Sequence, residues 1–120
     1  MVAIEELAAF LNALSHHHRV HIIQELRNGE MDVNSLRTAL KASQSSVSQH
    51  LKVLRSRQLI IERHAGRHVY YRLAQPAIAQ WLLDGMRFIE GDVGRVERVR
   101  TSVKKAHSLW SETVSSKRNK

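Results

Sequence analysis

The stretch that begins at Ser43, "SQSSVSQHLKVLRSR", combines a polar start with apolar residues at helical spacing. Six of its first seven residues are serine or glutamine, and Val47, Leu51 and Leu54 then recur at steps of three and four. This pattern predicts an amphipathic helix that Ser43 caps and that runs to about Arg57. Because the apolar stripe is narrow, most of the helix surface is left for contact with something other than the core.

The segment before this helix predicts a second short helix and a tight turn. Asp32 or Asn34 can cap a helix that carries Leu36 and Leu40, and the letters "KAS" then leave only a few residues before Ser43. Two short helices joined in this way form a helix-turn-helix arrangement.

Two further helices are expected at the N-terminus. The first is amphipathic, with apolar residues at Ile4, Leu7, Leu11 and Leu14. Ser15 can cap the next one, which runs through "HHHRVHIIQELRN" and stops at Gly29.

A hairpin and a long helix follow the central stretch. In "LIIERHAGRHVYYRL", β-branched and aromatic residues on either side of Ala65-Gly66 predict two strands. Pro76 suits the first turn of a helix whose apolar residues repeat as a loose heptad. Residues 1–110 are therefore expected to form one domain and residues 111–120 a disordered tail.

The charge is concentrated in two segments. The chain of 120 residues carries +8 overall, and residues 41–72 contribute seven bases against one acid. Residues 95–120 contribute eight bases against two acids. Such blocks predict phosphate or anionic lipid as a partner, although a solvated face would look the same. The absence of cysteine excludes disulfides and thiolate metal sites.

The polar side chains of the central helix suit nucleic-acid recognition. A helical wheel places Ser45, Gln49 and Lys52 opposite the buried stripe, with Ser48 and Arg55 on one flank. Glutamine can bind adenine through two hydrogen bonds, serine can bond to either base type, and lysine and arginine bind phosphates. Recognition helices enter the major groove with their N-terminal end first.

From about Leu11 to Leu73 the chain resembles the ArsR/SmtB family of bacterial winged-helix repressors. The matching segments are "ALSHHHRVHIIQEL", "SQSSVSQHLKVLRSRQLI" and "GRHVYYRL". The resemblance implies a mostly α fold with a two-stranded β-wing, a winged helix-turn-helix that dimerises through its first and last helices. The implied DNA-binding residues are Gln44, Ser45, Ser48, Gln49, His50, Lys52, Arg55 and Arg67. The dimer interface is expected at Leu7, Leu11, Leu82, Ile89, Val93 and Val96. For His50, packing or an intrahelical hydrogen bond is an alternative to DNA contact.

The chain departs from this family at both of its familiar metal sites. Asp32 and Asn34 stand where the family has cysteines, and the dimerisation helix lacks a competent pair of ligands. His17 and His21, spaced i and i+4 on the second helix, are the remaining candidates for a metal. A solvated histidine face is the simpler interpretation, so no cofactor is expected.

These patterns predict a homodimeric, cytoplasmic repressor that binds double-stranded DNA at a palindromic operator and has no role in a membrane. Any small-molecule or metal inducer is unknown. One alternative is a nickel- or zinc-responsive repressor that uses histidines of the second helix. Another is a winged-helix module that binds a protein. An enzyme is not expected, because the sequence has no glycine-rich phosphate loop, cysteine nucleophile or plausible carboxylate pair.

Overall fold

The structure, a computed structural model, describes residues 1–90 and 97–118. Its helices are α1 (Val2–Leu14), α2 (His17–Glu25), α3 (Val33–Leu40), α4 (Gln44–Ser56), α5 (Ala77–Glu90) and α6 (Glu97–Arg118), with a 3-10 turn at Leu26–Asn28. Its strands are β1 (Met31–Asp32), β2 (Ile60–Ala65) and β3 (His68–Leu73). The chain divides into two compact units, Met1–Gln75 and Pro76–Lys120. Within the described ranges, no helix has the length and apolar character needed to cross a bilayer.

Side-chain caps begin α3 and α4. Asp32 accepts a hydrogen bond from the Ser35 amide at 2.8 Å, and the Ser43 hydroxyl accepts one from the Ser46 amide at 3.2 Å. These bonds satisfy amides that have no partner within the first helical turn. Between the helices, Lys41 has a left-handed backbone with φ of 53°, which ends α3 sharply. The predicted cap at Ser43 is thus confirmed, and of the two candidates for α3, Asp32 and Asn34, the cap is Asp32.

The cap of α2 differs from the prediction. Ser15 belongs to the end of α1, where its amide bonds to the carbonyl of Asn12. His16 takes the extended backbone of a capping residue, and its Nδ1 accepts the His18 amide at 3.0 Å. The prediction of Ser15 as the cap was wrong, because the two helices follow each other without a spacer. Gly29, with φ of 136°, ends the segment as expected.

The sheet has one strand more than the predicted wing. Strands β2 and β3 pair antiparallel, and Gly66 and Arg67 form the turn between them, with φ of 62° at Gly66. Strand β1 adds to the other edge of β3, with Met31 opposite Tyr71. The order is β1-β3-β2, so the expected two-stranded wing is part of a three-stranded sheet.

The core of the first unit is built from apolar side chains of its helices and of β2 and β3. All three residues of the predicted stripe on α4 are buried, Val47, Leu51 and Leu54. The other large buried aliphatic residues of this unit are Leu14, Ile22, Ile23, Leu26, Leu36, Leu40, Ile60 and Leu73. Burial of this stripe fixes which face of α4 points outward.

The second unit contains α5 and α6, where the sequence predicted a single long helix. Helix α5 buries Ala79 and Leu83, and α6 extends to Arg118. Val93 and Val96, two of the predicted interface residues, lie outside the described residues. The division into residues 1–110 and a tail of residues 111–120 stays a prediction.

Candidate nucleic-acid interface

The outward face of α4 is polar along its whole length. The exposed side chains of α4 are Gln44, Ser45, Ser48, Gln49, Lys52, Arg55 and Ser56, and all but Ser56 were predicted to touch DNA. Ser45, Gln49 and Lys52 lie opposite the buried stripe, Ser48 and Arg55 lie on one flank, and Gln44 is exposed in the first turn. The helix therefore presents hydroxyl and amide groups over its first two turns and cations over its last two.

Most of these side chains have no partner among the residues that the structure describes. In the part of the chain that the structure describes, Gln44, Ser48, Gln49 and Lys52 make no side-chain hydrogen bond or ion pair. The Ser45 hydroxyl lies 3.3 Å from that of Ser43, so it belongs to the local cap. Exposed amides and hydroxyls without internal partners are available to hydrogen-bond an external molecule.

Arg55 is paired within the protein. Its Nη1 lies 2.6 Å from Oε1 of Glu62 on β2, and the same carboxylate oxygen lies 3.5 Å from Nε2 of His64. Burial would raise the pKa of Glu62, but the bonds from Arg55 and His64 outweigh it and hold that pKa below its ordinary value. Glu62 is therefore charged at neutral pH and competes with any phosphate for Arg55.

Two arginines of the wing, Arg63 and Arg67, differ in whether they are paired. Arg63 donates to both carboxylate oxygens of Glu30, at 2.6 and 3.1 Å, and its guanidinium lies 4.8 Å from the centre of the Tyr70 ring. Its hydrogen bond lowers the pKa of Glu30. Arg67, exposed at the turn, has no ion pair among the described residues. The predicted cation at the wing tip is thus available to an external anion.

His50 lies apart from the polar face of α4. Its ring is half-buried, its centroid is 4.2 Å from that of His16, and its Nδ1 lies 3.3 Å from Nη1 of Arg19. The structure thus places His50 against the start of α2, which favours the packing role over the DNA contact.

A cluster of three histidines results from this contact. One ring nitrogen from each of His16, His18 and His50 lies within 4.8 Å of the other two. Sequence reasoning missed this cluster because Arg19 and His50, which bring its two halves together, are 31 residues apart. No local spacing signals such a contact, since it depends on how α2 packs on α4.

The surroundings of this cluster lower the pKa of each ring, which favours neutral imidazole. Desolvation and the neighbouring His17 lower the pKa of His16, and desolvation together with His16 and Arg19 lowers that of His50. Desolvation and the adjacent histidines also lower the pKa of His18. Neutral imidazole is the form that binds metal ions.

The pair proposed from spacing, His17 and His21, is not part of this cluster. Nε2 of His21 lies 3.2 Å from Glu25, one helical turn further along. The ring of His17 stacks with that of His16, with centroids 4.7 Å apart. The structure therefore gives each of these two histidines a different neighbour.

Helices α1 and α5 expose large apolar side chains. Leu7 and Leu11 on α1 and Ile89 on α5, three of the predicted interface residues, are exposed, whereas Leu82 is half-buried. Phe88 has 85% of its surface exposed. Exposed apolar residues grouped on a helix mark a surface for association.

These features define a class of protein, the winged helix-turn-helix domains. A solved relative has this architecture: the homodimeric winged helix-turn-helix DNA-binding domain of a possible ArsR-family transcriptional regulator from Mycobacterium bovis. It matches with a TM-score of 0.65 and 26% identity, over 80% of this chain and 90% of that one.

Sequence comparisons identify the family. The model for "Bacterial regulatory protein, arsR family" matches residues 16–62. The regulator NmtR of Mycobacterium tuberculosis is 39% identical over 80 residues, 67% of each chain. A transcriptional repressor SmtB homolog of Synechocystis is 40% identical over 70 residues, 58% of this chain and 53% of that protein. The chain belongs to the ArsR family, whose members are transcriptional regulators and not enzymes. It spans between about half and two thirds of the length of these two curated relatives.

Proposed function

We propose that this protein is a homodimeric transcriptional repressor that recognises a palindromic DNA operator with α4. Membership of a family of bacterial regulators supports the class of activity. Because bacterial DNA lies in the cytoplasm, the protein acts there.

The observation that carries this proposal is the outward face of α4. Gln49 and Ser48 project from the first two turns without partners among the described residues, and Lys52 follows one turn later. In a major groove, the amide and the hydroxyl reach base edges while the ammonium group binds a phosphate. The Ser43 cap keeps the first turn helical and so keeps these side chains in register.

Two arginines extend the contact to the DNA backbone by different routes. Arg67 at the wing turn reaches a phosphate or the minor groove directly. The guanidinium of Arg55 must either break its ion pair with Glu62 or bind that carboxylate and a phosphate at the same time. Replacing Glu62 with glutamine is therefore expected to strengthen binding to all DNA sequences.

The exposed apolar residues of α1 and α5 support a homodimer. A symmetric dimer would cover Leu7, Leu11 and Ile89 on both copies, which removes apolar surface from water. The relative from Mycobacterium bovis is itself described as homodimeric. A dimer presents two copies of α4, which fits an operator with two related half-sites.

A DNA-binding measurement tests this function directly. The full chain is titrated by fluorescence anisotropy onto duplexes from its own upstream region and onto unrelated DNA, at several salt concentrations. We expect specific binding whose logarithm falls linearly with the logarithm of salt. Lys52→Ala should weaken binding to both DNAs and reduce the salt slope by about 1 per protomer. Arg87→Ala, which removes the same charge from α5, is the matched control and should leave both unchanged.

Two other functions have less support. For nickel or zinc sensing through His17 and His21, the structure gives the two histidines different neighbours, His16 and Glu25. A winged-helix module for protein binding would show equal, weak affinity for the upstream region and unrelated DNA at physiological salt. That result would contradict the proposed repressor.

A further inference from the structure

We propose that His16, His18 and His50 bind a divalent transition-metal ion that links the start of α2 to α4. This position differs from both familiar metal sites of the family, one at the start of the third helix and one on the dimerisation helix. The binding itself does not depend on the function proposed above. Its effect on DNA affinity does rest on that function.

The geometry is close to that of a three-histidine site. The three ring nitrogens lie within 4.8 Å of one another, whereas nitrogens around a tetrahedral zinc ion lie about 3.4 Å apart. An approach of up to about 1.4 Å is therefore enough, and rotation of the rings can supply much of it. All three side chains are half-buried, so an ion can reach them from solvent.

The chemistry of the donors selects the kind of ion. Neutral imidazole suits zinc, nickel and copper, and three protein nitrogens leave a fourth position for water. No carboxylate belongs to the cluster among the described residues, and Arg19 adds a positive charge beside it. Calcium and magnesium, which prefer oxygen donors, are therefore excluded.

Metal binding and the present hydrogen bonds exclude each other. Nδ1 of His16 accepts the His18 amide, and Nδ1 of His50 accepts from Arg19, since a guanidinium only donates. A neutral imidazole has one acceptor nitrogen. If the metal takes Nδ1, that acceptor is lost, and if it takes Nε2, the ring proton moves to Nδ1 with the same result. The protein thus has two alternative arrangements at this contact.

A change between these two arrangements affects the face of α4 that is proposed to contact DNA. His50 lies next to Gln49 in sequence and on the flank of α4 that contacts α2. Coordination breaks the contact between His50 and Arg19, which keeps its bond to the Ala13 carbonyl. The part of the approach that ring rotation does not supply moves α4 relative to α2. A site that biases two arrangements of the recognition helix must, by linkage, change the affinity for operator DNA. We expect the metal to weaken that affinity.

Metal titration of the chelator-treated full chain tests the site. Cobalt(II) absorption and zinc(II) calorimetry should give one ion per chain. His50→Gln, which keeps an acceptor for Arg19, should weaken binding by at least about tenfold. His21→Gln removes a histidine of the same helix from outside the cluster and is the matched control, with no change expected. Equal binding by the wild type, His50→Gln and His21→Gln would overturn the site, as would failure of the wild type to bind either ion.

A second variant and a second readout guard against misfolding. His18→Asn is expected to lose the ion just as His50→Gln does, with circular dichroism checking that each variant is folded. In the wild type, zinc should also speed hydrogen exchange at the His18 amide, because its acceptor on His16 is removed. Unchanged exchange in the zinc-bound protein would contradict coordination by His16.

Operator binding with and without zinc then tests the coupling. Zinc should weaken specific binding of the wild type about fivefold or more and leave His50→Gln unaffected. If zinc binds the cluster but operator affinity stays the same, the coupling is wrong and the site stands. If the metal-free protein binds no DNA specifically, the proposed function fails, while the titrations still decide the metal site.

Discussion

Helices α1 and α4 are both thirteen residues long and both have apolar residues at helical spacing, yet they use them in opposite ways. Helix α4 buries its stripe within the protein, with Leu51 only 1% exposed. Helix α1 leaves Leu7 at 52% and Leu11 at 45%. Because the apolar stripe of α4 is buried, the polar face of that helix is the surface left for binding. On α1 the apolar face itself is still exposed. Helix α4 therefore suits DNA, and α1 suits another copy of the chain.

The largest effect is expected from breaking the buried side of α4. Leu51→Ala should lower the free energy of unfolding by about 2–5 kcal/mol, because it leaves a cavity where the side chain is now enclosed. Lys52→Ala, at the next residue on the exposed face, should change it by less than about 0.5 kcal/mol. Urea denaturation measures both. Similar losses for the two variants would contradict the assignment of the faces.

The same kind of change on α1 should affect association instead of folding. Leu7→Lys should weaken the dimer by about 1.5–3 kcal/mol per copy, because it removes apolar burial at the interface. Analytical ultracentrifugation measures the dissociation constant. Ile61→Lys, which changes an exposed apolar residue of β2, is the control and should leave the dimer intact. A wild type that stays monomeric at working concentrations would overturn the role given to α1.

A smaller effect is expected at the cap that begins α4. Ser43→Ala should lower the free energy of unfolding by about 1 kcal/mol, because the Ser46 amide loses its acceptor. Ser43→Asn keeps an acceptor and should be close to wild type. Thermal unfolding followed by circular dichroism compares them. Equal stability of the two variants would show that the hydroxyl contributes nothing.

The smallest effect concerns pH and the cap of α3. The amide of Ser35 lowers the pKa of Asp32 below its ordinary value of 3.8. Because the folded pKa lies below the unfolded one, this contribution is present above about pH 4 and is lost as the pH falls through the folded pKa. Asp32→Asn retains a cap without a titrating group, so its stability should fall less steeply on acidification. If the free energy of unfolding falls equally steeply below pH 4 for the wild type and Asp32→Asn, the prediction is contradicted.

Local features of the fold could be predicted from the sequence, because neighbouring residues determine them. The cap at Ser43 and the stripe of Val47, Leu51 and Leu54 depend only on helical geometry. The cap of α2 was assigned one residue too early, because sequence gives no sign that Ser15 still belongs to α1.

Features that depend on tertiary packing could not be predicted in this way. Strand β1 has two residues and no pattern of its own, and it exists because β3 offers an edge to Met31 and Asp32. Of the predicted phosphate contacts, Arg55 is already engaged by Glu62 on β2. The cluster of three histidines likewise needs α2 packed on α4.

Whether the exposed face of α4 reads bases is decided by DNA titrations with two proteins and a full set of operator variants. Wild type and Gln49→Ala are each titrated against the operator and against operators changed at every base pair in turn. We expect the wild type to discriminate by about 1–3 kcal/mol at one position of each half-site, and Gln49→Ala to lose this discrimination there and nowhere else. Identical base preferences for the two proteins at every position would contradict this expectation.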